Sequence, residues 1–354
     1  MTNTLMRRLA SSIVLFAAAH ACNAQLTPDH EFYGVGRPMP MTVVLPAPSE
    51  QAPADKPAPP TPPPPATPPC TIDLYNATDA KPVASCNVLP GRVDLAALLP
   101  TLWKDKPRSV LFAQLSVAGK PIGSPVVLMP MLNQPRAKAK TVAGSKRPVI
   151  TFEPLEGEED VYSGLQAWAD KRAILTTDEG EIEIATRPDA APLTSQNFLR
   201  LVGGGFYEGT GFHRVVPLTA DGKPFVIQGG DPTGTGSGGC GYYVDLENSR
   251  LAHDEGVVSM ARADDPDSNG SQFFVCLSRD GTKRLDGSYA AFGVVTRGIE
   301  TVLKIARTPL QPGTDKPVKP PTILAAKLVP APPFEPARMP QPERSPANIQ
   351  NPQR

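Results

Sequence analysis

The sequence predicts a mainly β chain: a small β-rich module, then an antiparallel β-barrel capped by two short helices, with disordered proline-rich segments before the first and after the second. Three observations carry this. Short alternating or β-rich runs bounded by glycine, proline and aspartate turns dominate from residue 109 onward. Only two stretches show the apolar spacing of a helix. Proline accounts for 44 of 354 residues, far above the usual ~5%.

The first 24 residues read as an export signal. Arg7 and Arg8 precede an apolar run from Leu9 to Ala19, and small residues follow it. Cleavage after Ala21 or Ala24 fits the small-x-small rule. Cys22 after Ala21 offers a variant, a lipoprotein signal over residues 1–21 with Cys22 acylated and anchoring the chain to a membrane. The apolar run is shorter than the ~20 residues of a spanning helix, and nothing later supplies one. The expected destination is outside the cytoplasm: periplasm, cell envelope or secretion.

Residues 25–69 are expected to form a disordered linker. Half of the residues from Pro46 to Pro69 are proline, which excludes helix and sheet and favours extended polyproline II. At ~3.1 Å per residue it spans roughly 70 Å as a semi-rigid spacer, the alternative being a ligand for an aromatic groove. A similar tail, residues 330–354, is expected to be disordered.

Residues 70–170 read as the small β-rich module. Ser109 to Ala118 and Pro125 to Leu132 are β-rich runs joined by a Gly119 to Gly123 turn, hence a hairpin, and Val149 to Phe152 adds a strand. Gln134 to Arg147 is basic and poor in apolar residues, so a loop is expected there. Cys70 and Cys86, 16 apart, are expected to form a disulfide in an oxidising compartment, stabilising by roughly 3 kcal/mol, against the alternative of two unrelated thiols. Cys240 and Cys276 are left over. The module holds no catalytic constellation.

Residues 171–329 change texture. Ile174 to Ile184 gives two strands around an Asp178-Glu-Gly turn. Thr194 is placed to cap a helix whose Phe198, Leu201 and Val202 share a face, ended by Gly203 to Gly205. Short strands follow at Phe212 to Val216, Phe225 to Gln228, Val257 to Ala261, Gln272 to Leu277 and Ala291 to Val295. A second helix fits Ile299, Val302, Leu303 and Ala306, and Thr322 to Val329 is a closing strand.

Thirty-five basic residues balance thirty-five acidic ones, so no global field recruits nucleic acid. With four histidines and no CxxC, a zinc site is not expected. Gly234 to Gly239 fits GxGxxG, but no helical period follows, so no helix N-terminus is available for a pyrophosphate. No serine sits in GxSxG, which disfavours an esterase. Asn76-Ala-Thr and Asn269-Gly-Ser are glycosylation triplets only in a eukaryotic secretory route.

Three segments carry more information: Phe212-His-Arg-Val-Val-Pro217 with Phe225-Val-Ile-Gln-Gly-Gly-Asp231; Ser259-Met-Ala-Arg262; and Asn269-Gly-Ser-Gln-Phe-Phe274 with Leu285-Asp-Gly287 and Phe292-Gly293. In order, spacing and content they closely resemble the cyclophilin family of peptidyl-prolyl cis/trans isomerases, over less than half of the chain. The resemblance implies a closed antiparallel barrel of about eight strands with two capping helices. It also implies catalysis of X-Pro rotation without cofactor or metal. The expected partners are unfolded or flexible proline-containing polypeptides, and the chain is expected to be a monomer.

The chemistry agrees with that implication. Turning an X-Pro bond breaks amide resonance, at a barrier of ~18 to 20 kcal/mol. A catalyst needs a donor near the prolyl nitrogen, where the lone pair localises, and an apolar seat for the ring. By the resemblance, Arg214 is the catalytic donor and Phe225, Val226, Phe274 and Leu285 form the proline pocket, Val226 standing where many members carry methionine. Gln228 and Gln272 orient the arginine and the peptide. Ala261, Arg262 and Ala263 pair with substrate main chain, and Arg262 resembles bacterial members. Tyr289 falls where many members have a pocket histidine. Arg284 replaces a common tryptophan, which puts cyclosporin sensitivity in question. His213 is expected to be structural, because a proton shuttle has no task in this reaction. The rival reading is a non-catalytic module that grips proline segments at an envelope; a secreted hydrolase comes third, for want of a nucleophile.

Overall fold

The computed structural model describes residues 25–45, 69–133, 135–142, 148–157, 161–335 and 339–342. The export signal, Cys22 and the proline run at 46–68 lie outside them.

The N-terminal part is larger than expected. Residues 25–44, assigned by sequence to the linker, form β1 (Gln25–Pro28), β2 (Phe32–Gly34) and β3 (Pro40–Val44). Their apolar side chains explain the correction: Leu26, Tyr33, Met39, Met41 and Val43 are buried in one core with Ile72, Leu74 and Leu115. β4 (Cys70–Asn76), β5 (Ala84–Val88) and β6 (Gly91–Asp94) follow. Two single-turn helices, α1 (Leu95–Leu98) and α2 (Thr101–Lys104), come next, and the Asp94 side chain caps α1. Then come β7 (Leu111–Val117), β8 (Lys120–Pro121), β9 (Val126–Leu132), β10 (Arg136–Lys140), β11 (Val149–Glu153) and β12 (Tyr162–Ala169). The main sheet runs β2-β12-β9-β7-β4-β5, and β1-β3-β6 packs beside it. The expected hairpin of β7 and β9 is present.

Two expectations here are overturned. The basic stretch expected as a loop contains β10, which pairs with β11, Ala137 opposite Phe152 and Ala139 opposite Ile150. Cys70 and Cys86 are not bonded to one another. Cys70 stands opposite Val88 and Cys86 opposite Ile72, so the pair is diagonal across two strands, typically ~7–8 Å, beyond the usual disulfide span of ~4.4–6.8 Å.

After Asp170 the chain enters an eight-stranded antiparallel sheet of order β15-β16-β18-β17-β19-β14-β13-β20. Its strands are β13 (Lys171–Thr177), β14 (Gly180–Thr186), β15 (Arg214–Val216), β16 (Val226–Gly229), β17 (Val257–Met260), β18 (Phe273–Cys276), β19 (Ala291–Arg297) and β20 (Ile323–Pro330). All the expected strands of this region appear. The outer strands β15 and β20 are not laddered to each other; an isolated bridge at Gly211 and Thr322, with hydrogen bonds around it, joins their approaches. Helices α3 (Pro192–Gly203) and α5 (Ile299–Ile305) cap the sheet, with a short α4 (Arg279–Thr282) running into a 3-10 turn at Lys283–Leu285. The core holds Phe198, Tyr207, Phe212, Phe273 and Phe292. Thr194 does not cap α3, because Pro192 starts the helix two residues earlier. Instead the Glu247 carboxylate accepts the Leu193 and Thr194 N–H groups and the Thr194 hydroxyl, satisfying donors a helix start leaves open.

The two parts are packed together. Glu31 and Gln166 bond Gln196 of α3, and Glu31 pairs with Arg200. The tail expected to be disordered is ordered over 331–335 and 339–342. Phe334 stacks on Phe112 at 4.5 Å, its N–H donates to Gln114, and the Ala331 carbonyl accepts the Ser124 hydroxyl. Proline-rich chain has no hydrogen bonds of its own to hold it, so an aromatic surface and side-chain partners order it.

Candidate active site

The predicted site residues meet along β15, β16 and β18 and the end of β17. In the ladder Arg214 lies opposite Gln228, and Gln228 opposite Phe274. The Arg214 guanidinium donates to Gln228 Oε1 at 3.3 Å and pairs with Asp315 at 3.2 Å, its side chain 41% exposed. Gln228 Nε2 donates to Gln272 Oε1 at 2.9 Å, and Gln272 Nε2 to the carbonyls of Gly236 (3.0 Å) and Gly238 (2.8 Å). One chain of polar contacts therefore links Arg214 to the glycine loop. That loop is no nucleotide cradle; Asp231 holds it by accepting the Thr233 hydroxyl and the N–H groups of Thr233, Gly236 and Gly238. Burial works to raise the Asp231 pKa, but these hydrogen bonds outweigh it and hold the carboxyl at about 2.

Phe225, Val226, Phe274 and Leu285 are buried in a single apolar cluster, with Ala261 and Tyr289 packed against it. Tyr289 meets Phe274 edge-on, ring centroids 5.7 Å apart. Two cations cover the rim: Arg284 lies 4.5 Å from the Phe225 ring centre and Arg262 lies 4.8 Å from that of Tyr289, the approach favoured by aromatic quadrupoles. The 3-10 turn carrying Leu285 comes close because Gly281 has no side chain; a Cβ there would stand 1.9 Å from the Pro224 carbonyl.

Beside this cluster a groove of about 600 Å3 runs between the loop at 236–243 and Ala261–Ala263, and Gln228, Arg262 and Gln272 also line it. The Ala261 N–H donates to the Gln272 carbonyl, and the Ala263 N–H to Ser268. Among the described residues the main-chain N–H and carbonyl of Arg262 have no partner, which leaves one backbone donor and one acceptor for a peptide to pair with.

Three contributors were missed by sequence reasoning. Asp315, in a turn before β20, reaches Arg214 and also accepts the Val215 N–H through its carbonyl; no local pattern marks it. His253 is buried with Nδ1 3.0 Å from Asp286 and Nε2 3.0 Å from Ser259 Oγ, its ring nearly parallel to Phe274. Asp286 is bidentate to Arg279; these bonds overcome burial and hold its pKa at about 2. The ionised Asp286 fixes the Nδ1 proton, so Nε2 accepts from Ser259. The order Ser-His-Asp is that of a hydrolase triad, but Ser259 is fully buried, with no place for a scissile carbonyl; the row supports Phe274 from behind. Burial lowers the pKa of His253 and of His213, so both are neutral at pH 7. The triplet at Asn269 is no glycan site, since Asn269 is buried and its amide donates to Val244 and Pro266.

The chain is similar in sequence to known proteins. The family described as cyclophilin type peptidyl-prolyl cis-trans isomerase/CLD matches residues 172–328. Peptidyl-prolyl cis-trans isomerase ppi1 of Schizosaccharomyces pombe is 41% identical over 157 residues, covering 43% of this chain and 95% of that protein. Peptidyl-prolyl cis-trans isomerase-like 1 of Mus musculus is 40% identical over 164 residues, 45% of this chain and 93% of that protein. Larger relatives match in part: the chain spans 25% of peptidyl-prolyl cis-trans isomerase-like 2 of Cryptococcus neoformans, at 40% identity over 42% of this chain. A crystal structure of a cyclophilin type isomerase of Cryptosporidium parvum, obtained in the presence of the dipeptide Ala-Pro, is 35% identical, with a TM-score of 0.40, covering 44% of this chain and 96% of that one. These relatives are eukaryotic, so the bacterial likeness read from Arg262 gains no support from them. Nearly the whole length of two of these isomerases is represented in this one sequence, and the chain belongs to the cyclophilin-type peptidyl-prolyl cis-trans isomerase family.

Proposed function

We propose that residues 171–329 catalyse cis/trans rotation of X-Pro bonds in flexible or unfolded polypeptides, with Arg214 as the catalytic group. The observation that carries this is the placement of a half-exposed guanidinium, braced by Gln228 and Asp315, next to the apolar cluster of Phe225, Val226, Phe274 and Leu285. Of its five N–H donors, two point to these braces, and the rest are available. The apolar wall grips the proline ring, and peptide backbone pairs with Arg262. As the bond twists, the nitrogen lone pair localises and accepts from Arg214. The interaction strengthens only in the transition state, so it lowers the barrier rather than tightening binding. No proton is transferred and no covalent bond is broken, so the neutral histidines have no role in the reaction itself.

The Arg7-Arg8 start and apolar run support an exported enzyme acting on exported proteins, and Cys22 supports the lipid-anchored variant. The reaction needs no energy input, which suits a compartment without ATP. The test is exchange of a proline tetrapeptide measured with wild type and Arg214→Ala: the variant should lose about 10²- to 10³-fold in turnover. Peptide binding by wild type without acceleration would instead favour a non-catalytic proline-binding module.

A further inference from the structure

The hairpin of β10 and β11 leaves the N-terminal module between β9 and β12 and, among the described residues, joins no other sheet. A two-stranded hairpin is marginal by itself, so its apolar face needs a partner. That partner is the isomerase domain: Ala137, Ile150 and Phe152 pack on Leu246 and Ala290. On the other face Lys138 and Lys140 both pair with Glu153, tying the two strands together.

Ala290 is fully buried and follows Tyr289 directly; its carbonyl accepts the Met260 N–H at the end of β17. The segment Ser288–Ala290 is a turn preceding β19, not part of the sheet. Its front is fixed by Phe274 against Tyr289 and by Arg262, whose Nε donates to the Ser288 carbonyl. Its back is closed by the hairpin.

We infer that the β10–β11 hairpin is a positioning element for the proline pocket: it holds the Tyr289 wall from behind, so the N-terminal module sets how tightly the isomerase domain binds its peptide. This rests on the isomerase reading of the pocket. A wall held only from the front must be ordered when peptide binds, which weakens ground-state and transition-state binding alike. Phe152→Ser, which puts a hydroxyl in the apolar contact, should raise KM and the peptide Kd about 3- to 10-fold, the range of coupling through packed residues, with kcat within about twofold of wild type. Phe152→Leu keeps the contact and should retain the wild-type constants. Phe334→Ala loosens the same module at the tail, away from the pocket, and should leave KM unchanged.

The experiment is titration of a proline tetrapeptide by NMR, giving Kd from shifts and rate from exchange, on wild type and the three full-length variants. Ile150→Thr serves as a milder replacement should Phe152→Ser fail to fold. Unchanged Kd in the folded serine or threonine variant, or an equal rise in Phe334→Ala, overturns the inference. Because Kd is read apart from rate, a wild type that binds without catalysing refutes only the isomerase reading, and the hairpin is still tested.

Discussion

Replacing Arg214 by lysine separates charge from geometry at the proposed catalytic group. The guanidinium is held at two points, Gln228 at 3.3 Å and Asp315 at 3.2 Å, and these define the plane of its remaining donors. An ammonium keeps the positive charge but is a point on a flexible stem, with no planar fork to brace. If charge alone mattered, the lysine variant would work; if a donor fixed in direction matters, it should lose most of the effect. We expect kcat to fall about 10- to 100-fold for Arg214→Lys, short of the about 10²- to 10³-fold for Arg214→Ala. Folding stability should hardly change. The pair with Asp315 is 41% and 48% exposed at its two ends, and pairs so placed contribute about 0 to 1 kcal/mol. The assay is exchange of a proline tetrapeptide beside a denaturant melt of each variant. A lysine variant within twofold of wild type, with a normal melt, refutes the argument from braced geometry.

Other expectations follow from the same contacts. The rate should be flat from about pH 6 to 8, because arginine does not titrate there; an inflection in the exchange assay near pH 6.5 would contradict it. Stability should behave differently, since burial depresses His213 and His253 below their ordinary 6.5. The unfolded chain then binds more protons than the native one, so the melting temperature should hold above about pH 7 and fall as the pH drops through 6.5. Asp231 and Asp286, held at about 2, add their loss only below about pH 4, so His253→Gln should flatten the upper part of the melting curve. Gln272→Leu removes both ties to the Gly236 and Gly238 carbonyls and should raise amide exchange across residues 233–241, read by hydrogen-deuterium mass spectrometry. Phe334→Ala removes a ring stacked on Phe112 and should weaken tail docking by about 3 kcal/mol, seen as faster proteolysis beyond Pro330.

Much of the isomerase domain was legible because its signals are local. The alternation in Glu181 to Ile184, the i, i+3, i+4 spacing of Phe198, Leu201 and Val202, and the quoted motifs each act within a few residues, and the strands appear where those signals place them. The pocket residues were named differently, by resemblance to a family rather than by local periodicity, and the structure gathers Phe225, Val226, Phe274 and Leu285 into one apolar cluster from two strands and a 3-10 turn.

What escaped depends on distance along the chain. Asp315 lies about a hundred residues beyond Arg214, in a turn whose composition says only turn, and Glu247 caps a helix 53 positions upstream. β10 escaped because its one buried residue is Ala137, too small to register as an apolar face until Phe152 and Ala290 close on it. Residues 25–44 and the tail were misread through their prolines. Proline forbids a sheet interior and gives no hydrogen bond, so such segments take their order from whatever surface they meet. That surface is built elsewhere: β1 and β3 bury Leu26, Met41 and Val43 against β4 and β7, and Phe334 finds Phe112 and Tyr75. Composition measures what a segment cannot do by itself, whereas its order here comes from partners more than 200 positions away, as with Phe334 and Gln114. The same long-range packing that hides these elements from sequence is what lets the N-terminal module reach the back of the proline pocket.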